Sequence, residues 1–477
     1  MGNRYLVVSD LHLTDIEEHP DGWRAYKSAA FHFDEDLAKL VGGFIDSAAS
    51  GDQLTLVLNG DILDFDLVTA LPSNPRWPIR QREHQAGLDP TPAKSVWKLE
   101  RILDDHPQFV DTLVEVLARG HRVVYVLGNH DRELHFPETQ QALLHRLEER
   151  ARKHGRSISS GSLTVEPWFY HVPREIYVEH GQQYDYYTSY RYLLWPQIDR
   201  GGEPCLALPM GNLTNRYLMN RMGFFNPHAS DFILNVFRYL GHWLRHYAFT
   251  RRSLVLTWFL GSLQVVRRLL RLRRRLGEAP PENAAGLERV ARRFDLPNET
   301  VRALGHLQRL PITHRLYRVI REFWIDRLVI AGLMTAGTVT LALVPIPLWI
   351  KLMVPLSSFP LLYFIYEWLA RGENIFSYEQ VVPDNARAIA RLLPVRLVTF
   401  GHTHKPRLIP LDEGVTFVDT GCWAPATLVD DPARLRPGLR NYLLASFHLG
   451  ELTIELGSRI PASGVTAESS KIHKIAM

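Results

Sequence analysis

The chain has 477 residues, of which 46% are apolar, so it can bury at least one large core and is long enough for two or three domains. Its 55 basic and 51 acidic residues give a formal charge of +4, which is too small to indicate nucleic-acid binding from overall charge alone. The two cysteines, Cys205 and Cys422, exclude a disulfide framework and a cysteine-based metal cluster, and they fit a reducing compartment.

The amino-terminal segment reads MGNRYLVVSDLHL, an apolar run that predicts a strand entering a polar turn. It lacks the long apolar stretch and small-residue cleavage site of a secretory signal, so we expect no export by that route. Gly2 is not followed by a serine or threonine at the position that a myristoylation pattern requires. The segment therefore implies no lipid anchor.

Up to about residue 185, short β-type runs alternate with helical stretches. We predict strands at 5–8, 54–58, 123–127 and 176–178 and helices at 33–47 and 109–119, a rhythm typical of an α/β domain. Three of these strands run into polar turns, which read SDLH from Ser9, NGD from Asn59 and GNHD from Gly128. Sites in layered α/β folds commonly lie just beyond the carboxyl ends of strands, so these turns are the first candidates for a site.

The sequence changes character at about residue 190, where aromatic and arginine-rich helical sequence begins. The strand-and-turn pattern returns near Leu397, as RLVTFGHTHKP. We therefore predict an α/β domain whose first part covers 1–190 and whose second part covers 375–460. A mostly helical insertion would occupy 191–374, and a small, polar and loose tail would occupy 461–477.

The segment 232–277 has the most asymmetric charge in the chain, with ten arginines and no aspartate or glutamate. One interpretation is an interfacial helix whose arginines meet anionic lipid headgroups. Its apolar side chains would then enter the lipid, namely Trp243, Leu254, Leu256, Trp258, Phe259, Leu260 and Leu263. The alternative is a buried helix with a solvated basic end that holds Arg267, Arg268, Arg271, Arg273, Arg274 and Arg275. We favour the membrane interpretation.

Two uncharged runs follow, at 328–350 and 352–366, with Lys351 between them. The first is long enough to span a bilayer and the second is marginal. Four prolines, at 345, 347, 355 and 360, favour a helical hairpin or re-entrant element over two straight spans. The alternative is an apolar hairpin packed on the α/β domain. The site candidates flank the insertion and must meet, so any crossings come in pairs, and the neighbouring arginines indicate a domain on the cytoplasmic face of the membrane.

Five short segments carry side chains that suit metal chemistry: Asp10-Leu-His12, Gly60-Asp61, Gly128-Asn-His-Asp131, His180-Gly181 and Gly401-His-Thr-His404. Aspartate, histidine and asparagine accept manganese, iron, zinc or magnesium. A carboxylate shared by two cations about 3.5–4 Å apart lets them clamp the attacking and leaving oxygens of a phosphoryl group, and Asp61 is the natural bridge. Any one of the 21 histidines is more often an ordinary residue, but glycine-flanked ligands that repeatedly follow apolar strands indicate a site.

Taken in this order, the segments resemble the calcineurin-like metallophosphoesterase family, whose pattern is DxH, GD, GNH(D/E), a lone H and GHxH. The resemblance covers the two flanks of the insertion and implies a layered β-sandwich flanked by helices, with two divalent metal ions. It implies Asp10, His12, Asp61 and His404 around one ion and Asp61, Asn129, His180 and His402 around the other. It also implies that His130 lies outside the metal shell and stabilises or protonates the leaving oxygen.

Two further carboxylates belong to this hypothesis. We expect Asp131 to orient His130 by a hydrogen bond, and Asp64 to support the site from behind the ligands. Manganese is the expected metal, with iron, zinc or magnesium as alternatives. Downstream, residues 416–423 predict a strand and turn with Trp423 in the core, and we assign no catalytic role to Cys422.

Together the patterns favour a dinuclear metal-dependent phosphoesterase in which metal-activated water attacks a phosphoester or pyrophosphate. The membrane interpretation suggests a lipid or nucleotide-linked lipid substrate. SDLHL and the GD segment are similar to UDP-2,3-diacylglucosamine pyrophosphohydrolases, which carry GNRD where this chain has GNHD. The alternatives are a nuclease that tracks nucleic acid through the arginines and a non-catalytic membrane scaffold. The sequence does not indicate an oligomeric state.

Overall fold

A computed structural model describes residues 2–47, 52–159, 161–223, 225–228, 241, 244, 254–369, 378–427, 435–459 and 472–476. Trp243 and most of the basic segment before residue 254 lie outside these residues. The chain forms two compact units, Met1–Pro311 with Val382–Met477 and Ile312–Val381. This division differs from the expected insertion at 191–374, because residues 191–311 belong to the first unit.

The strands of the first unit, in chain order, are β1 (Asn3–Val8), β2 (Gln53–Asn59), β3 (Arg122–Val126), β4 (Leu163–Glu166), β5 (Phe169–Val172), β6 (Ile176–Glu179), β7 (Gln197–Asp199), β8 (Pro204–Leu206), β9 (Leu397–Phe400), β10 (Arg407–Pro410), β11 (Thr416–Asp419), β12 (Ala426–Thr427), β13 (Leu435–Arg436), β14 (Arg440–His448), β15 (Glu451–Arg459) and β16 (Ile472–Ala476). The larger sheet has the order β16-β15-β14-β1-β2-β3-β4, and the smaller one β10-β11-β9-β6-β5. The pairs β7–β8 and β12–β13 form two small ribbons.

The helices are α1 (Asp34–Asp46), α2 (Glu83–Ala86), α3 (Pro92–Asp105), α4 (Pro107–Ala118), α5 (Pro137–Lys153), α6 (Met210–Tyr217), α7 (Leu254–Arg275), α8 (Pro281–Arg293), α9 (Asn298–His306), α10 (Leu316–Glu322), α11 (Ile325–Leu343), α12 (Leu348–Leu369) and α13 (Tyr378–Leu392). The second unit contains α10, α11 and α12. The strands and helices predicted before residue 185 all form, with ends that differ from the predicted ones by at most two residues.

Both faces of the larger sheet are buried, which explains why its strands are almost continuously apolar. Val7 and Val57 face the smaller sheet and pack with Val178 and Leu397. The alternate residues of the same strands face the other way, into a core formed with α1, α3, α4 and α5 that also buries Trp423. The α/β fold class predicted from the sequence, with sandwiched sheets and flanking helices, is therefore confirmed.

The parallel register of the strands aligns their carboxyl ends. β1 pairs in parallel with β2, where Val8 lies opposite Leu58, and β2 pairs in parallel with β3, where Asn59 lies opposite Val126. In the smaller sheet β6 pairs in parallel with β9, where Val178 lies opposite Thr399. The turns that follow these five strands are consequently neighbours.

The carboxyl-terminal tail corrects one expectation. Ile472–Ala476 pairs antiparallel with β15, in a register that places Ile475 opposite Ile454. These residues form the edge strand of the larger sheet, whereas a loose segment was expected from their small and polar surroundings. The two isoleucines of IHKIA stand three residues apart, so the segment lacks the strict alternation that would have predicted a strand.

The second unit contains the predicted helical hairpin, made by α11 and α12. The side chain of Arg327 pairs with Glu367 at 2.7 Å, and the Tyr366 hydroxyl donates to Asp326, so the start of α11 lies beside the end of α12. Pro355 and Pro360 lie inside α12. Ile325–Leu343 and Leu348–Trp368 are long and apolar enough to cross a membrane, and neither apolar stretch is buried within the described structure.

Candidate metal centre

The carboxyl ends of five strands bring the predicted ligands together. Strands β1, β2 and β3 end next to one another in the larger sheet, and β6 and β9 do so in the smaller one. The turns beyond them carry all seven predicted metal ligands, which the structure gathers at one edge of the sandwich: Asp10, His12, Asp61, Asn129, His180, His402 and His404. Their assignment as ligands stays a prediction, and the geometry decides whether they can share cations.

One group consists of Asp10, His12 and His404. The Nε2 atom of His404 lies 3.3 Å from Asp10 Oδ1, and the Nε2 atoms of His12 and His404 are 3.4 Å apart. The distance from His12 Nε2 to Asp10 Oδ1 is 4.0 Å. Ligand atoms bound to one cation at about 2.1 Å lie roughly 3 Å apart, so these three atoms can converge on one ion with small adjustments.

The second group consists of Asp61, His180 and His402, which offer three ligand atoms within 4.8 Å of one another. His180 Nε2 lies 3.0 Å from Asp61 Oδ2, and His180 Nδ1 lies 2.8 Å from the carbonyl oxygen of Asn59. A proton donated by Nδ1 to that carbonyl leaves Nε2 able to bind a metal. Asp61 also lies within 4.8 Å of His12 through its carboxylate, which suits a bridge between the two groups.

Buried polar atoms of the predicted ligands show where cations would fit. Asn129 Oδ1 is buried and makes no hydrogen bond within the described part of the chain, and the buried Asp10 Oδ1 and His180 Nε2 contact other predicted ligands, at 3.3 Å from His404 Nε2 and 3.0 Å from Asp61 Oδ2. Leaving a buried polar atom unpaired costs about 1–3 kcal/mol, so native proteins rarely leave several in one place. Oxygen and imidazole nitrogen are the atoms that manganese, iron and zinc prefer. The residues therefore fit a pair of divalent cations.

The backbone of the site is held in an unusual conformation. Ten non-glycine residues in the described ranges have positive φ, and five of them are predicted ligands: Asp10, His12, Asp61, His402 and His404, with φ between 53° and 68°. This region of φ and ψ is unfavourable for residues with a Cβ atom. Such strain concentrates where the surrounding fold needs a side chain in one particular direction. Here the strained backbone directs the side chains of the five predicted ligands toward the site.

Gly60 offers a test of this close packing. A Cβ atom on Gly60 would lie 2.5 Å from Cγ of His180, whereas one on Gly22, which has the same φ of 75°, would meet nothing within 4 Å. Gly60→Ala is expected to push His180 aside and lower metal affinity by roughly 10–100-fold, while Gly22→Ala is expected to cost only about 1 kcal/mol of stability. Metal titration by calorimetry and thermal unfolding would measure both. Equal metal affinities in the two variants would contradict the role of His180.

Asp64 connects the ligands to His130. Its carboxylate lies 3.0 Å from His12 Nδ1 through one oxygen and 3.0 Å from His130 Nδ1 through the other. Asp131, by contrast, accepts hydrogen bonds from the backbone amides of Ile62 and Gly128 and from the hydroxyl of Tyr125. The expectation that Asp131 orients His130 is therefore corrected, since Asp64 holds the imidazole and Asp131 fixes the turns around the site.

Buried carboxylates and imidazoles of the site shift one another's pKa values. Burial disfavours the charged form of Asp61, but the imidazoles of His180 and His130 hold the pKa of this carboxyl well below its ordinary value. Burial would lower the pKa of His180, yet the carboxylates of Asp61 and Asp10 raise it to about 9. The carboxylates of Asp64 and Asp61 likewise overcome burial and raise the pKa of His130 to about 10. The same negative field favours divalent cations.

A family model described as calcineurin-like phosphoesterase matches residues 4–240. The chain belongs to the calcineurin-like phosphoesterase family. Membership implies a metal-dependent hydrolase of phosphoesters with a dinuclear metal centre. The matched residues end before His402 and His404, which the structure nevertheless places beside the ligands of the matched part.

Solved structures give a weaker comparison. Vps29 complexed with Zn²⁺ from Entamoeba histolytica is 22% identical over 20% of this chain and 46% of that chain, with a TM-score of 0.15. Vacuolar protein sorting 29 from Cryptosporidium parvum is 16% identical over 20% of this chain and 44% of that chain, with a TM-score of 0.15. The chain thus spans less than half the length of these structures. No curated protein matches it.

The calcineurin-like phosphoesterase centre includes neighbours that the sequence reasoning missed. The ring of His228 lies 4.1 Å from that of His12, and Cys422 lies within 4.8 Å of His12 and His404. His228 follows no predicted strand, so its sequence context carries no signal of a site. Cys422 follows a predicted strand and a glycine, as the ligands do, and that pattern was the available signal.

Helix α6 completes one wall of the centre, although it lies in the expected insertion. Asn212 donates to the carbonyl oxygen of Asn129 at 2.9 Å, and the Asn215 amide lies 3.5 Å from Nε2 of His130. On the opposite wall, Nε2 of His402 lies 3.2 Å from the Thr188 hydroxyl. Thr188 lies within the predicted first part of the domain, whereas Asn212 and Asn215 show that residues of the expected insertion also line the centre.

Proposed function

We propose that the chain hydrolyses a phosphoester or pyrophosphate bond with two divalent metal ions, manganese being the expected metal. The observation that supports this is the gathering of seven predicted oxygen and nitrogen ligands from two sheets, where Asn129 Oδ1 is buried without a hydrogen bond and the buried atoms of Asp10 and His180 face other predicted ligands. When bound, two cations supply charge stabilisation to the phosphoryl group and lower the pKa of a water molecule.

The protein's own residues would then hold His130 in place and protonate the leaving oxygen of the substrate. Asp64 holds His130 from its Nδ1 side, so Nε2 faces the side of the site where Asn215 lies. His130, whose Nδ1 atom contacts Asp64, can in its protonated form donate from Nε2 to a leaving oxygen. Its side chain is 10% exposed, which gives the proton a route to solvent.

The exposed hairpin extends the proposal to the substrate and the location. Leu333 is 68% exposed and Phe364 75% exposed, although both lie in apolar helices, and such surfaces are costly in water. We infer that α11 and α12 insert into a membrane, with the metal centre on the cytoplasmic face. A substrate that is a lipid, or a nucleotide-linked lipid, would then reach the site at the membrane surface.

Hydrolysis assays with detergent-solubilised protein test the reaction and the substrate together. We expect manganese-dependent turnover, compared across bis-p-nitrophenyl phosphate, p-nitrophenyl phosphate, a UDP-linked acylated sugar and a nucleic acid. Preference for the acylated sugar would support a lipid-linked substrate, and equal cleavage of a generic diester and of nucleic acid would favour a nuclease. Metal binding without hydrolysis of any ester would favour a scaffold and contradict the proposal.

The membrane proposal predicts a selective effect of charge in the hairpin. Leu333→Arg places a cation in the middle of α11 and is expected to weaken association with lipid vesicles by roughly tenfold or more. Leu449→Arg is the matched control, because Leu449 is 92% exposed but lies in the turn between β14 and β15. Vesicle flotation measures both variants. Equal flotation would mean that the hairpin does not enter the bilayer.

A further inference from the structure

A second polar cavity lies in the first unit, beside α6 and α7. It has a volume of about 110 Å³ and is lined by five arginines and one acid: Arg200, Arg216, Arg268, Arg271, Arg275 and Asp89. Leucine side chains, among them Leu213 and Leu272, complete its wall. None of the predicted metal ligands lines it, so this cavity is separate from the metal centre.

The charges around the cavity do not balance. Asp89 is its one acidic lining residue within the described ranges, and its carboxylate is already shared. It lies 2.6 Å from Arg82, 2.9 Å from Arg200 and 3.8 Å from Arg268. One carboxylate cannot neutralise the surrounding guanidinium groups, because each needs a partner when it leaves water. The cavity therefore has an excess of positive charge.

Two guanidinium groups have buried nitrogen atoms that make no hydrogen bond within the described part of the chain. Arg216 is 1% exposed, and its Nη2 donates to the carbonyl oxygens of Gly87 and Leu88, but its Nη1 is buried without a hydrogen bond. Nη2 of Arg268 is also buried without one. A buried, charged donor without a hydrogen bond costs free energy, and because Arg216 and Arg268 both line the cavity, an anion there would offer acceptors to both groups.

We propose that this cavity binds a phosphate-type oxyanion. Guanidinium groups match the oxygens of a phosphate through paired hydrogen bonds, and the leucines would contact an apolar part of the same ligand. Helix α6 joins the cavity to the metal centre, because Asn212 and Asn215 face the centre while Leu213 and Arg216 line the cavity. The oxyanion is either soluble phosphate or the phosphate of a lipid headgroup.

Helix α7 supplies matched variants for the test. Arg268→Gln with Arg271→Gln removes two cavity arginines, and Arg267→Gln with Arg274→Gln removes two exposed arginines of the same helix that do not line the cavity. Both pairs change the net charge equally and leave the predicted metal ligands intact. Phosphate binding at the metal centre is therefore common to both, and their difference reports on the cavity.

Calorimetric titration of the full-length protein with inorganic phosphate gives the first arm of the test. The cavity pair is expected to weaken one binding event by about tenfold or more, and the control pair to leave it unchanged. Cosedimentation with vesicles containing phosphatidic acid gives the second arm. A difference between the pairs only with vesicles assigns the site to a lipid headgroup, and a difference with free phosphate assigns it to a soluble ligand.

Equal behaviour of the two pairs in both arms would overturn the proposal, since the arginines would then act only through general surface charge. Thermal unfolding shows whether the cavity pair is folded. If that pair unfolds, the single variant Arg271→Gln, which changes an exposed residue of the lining, replaces it in the same comparison with Arg274→Gln. The readout is binding, so failure of the proposed hydrolysis leaves this test interpretable.

Discussion

Asp61→Ala is expected to lose bound metal and hydrolysis together. Asp61 lies within reach of His180 and His402 on one side and of His12 and His130 on the other, so its removal takes a ligand from both groups. Turnover should fall by roughly 10³-fold or more, because transition-state stabilisation by both cations is lost. Elemental analysis of the purified variant, alongside steady-state rates, measures the two losses.

The control for this variant is Asp104→Ala, in which an exposed carboxylate on α3 that pairs with Arg146 is removed. It should retain metal and activity. If Asp61→Ala kept both metal ions and lost only turnover, the carboxylate would act directly on the substrate and would not bridge the cations. Loss of folding is distinguished by thermal unfolding in the presence of a chelator, where only a structural defect separates the variant from the parent.

His130→Ala is expected to keep both metal ions and lose turnover by about 10²–10⁴-fold, the usual contribution of a proton donor. The leaving group supplies a sharper test than the rate alone. An ester with an alkyl leaving group needs a proton more than p-nitrophenolate does, so the loss should be much larger for the alkyl ester. The exposed His145 on α5 provides the control variant, His145→Ala.

A different result for His130 has a definite meaning. His130 also lies in a group with His12 and Asp61 whose atoms are within 4.8 Å of one another. Metal loss in His130→Ala equal to that in Asp61→Ala would make His130 a ligand. An equal loss of rate for both leaving groups, with metal retained, would assign it to charge stabilisation without proton transfer.

The strands and their turns could be predicted because the apolar runs and glycine punctuation are local signals. The apolar runs that contain Val7 and Val57 predict buried strands, and Asp10 and Asp61 follow these strands directly in the sequence. The parallel order of the strands then brings distant turns together. The set of candidate ligands was accessible from the sequence for this reason.

The remaining parts of the site depend on tertiary packing and could not be predicted. His228 and Asn215 reach the centre because their segments fold back against it, and nothing in their immediate sequence shows this. The role given to Asp131 was wrong because adjacency to His130 along the chain does not set the direction of a side chain. Asp64, distant in sequence from His130, contacts its imidazole instead.

The position of β14 also sets the order in which the protein can be completed during synthesis. The first strand of the chain pairs with it, so that Asn3 lies opposite Phe447, and His402 and His404 also come late. A growing chain therefore presents the apolar hairpin before its central sheet is closed and before its last ligands exist. Pairing across so long a sequence separation is slow. We therefore expect the hairpin of α11 and α12 to form first, and the sheet and the metal centre to be completed afterwards.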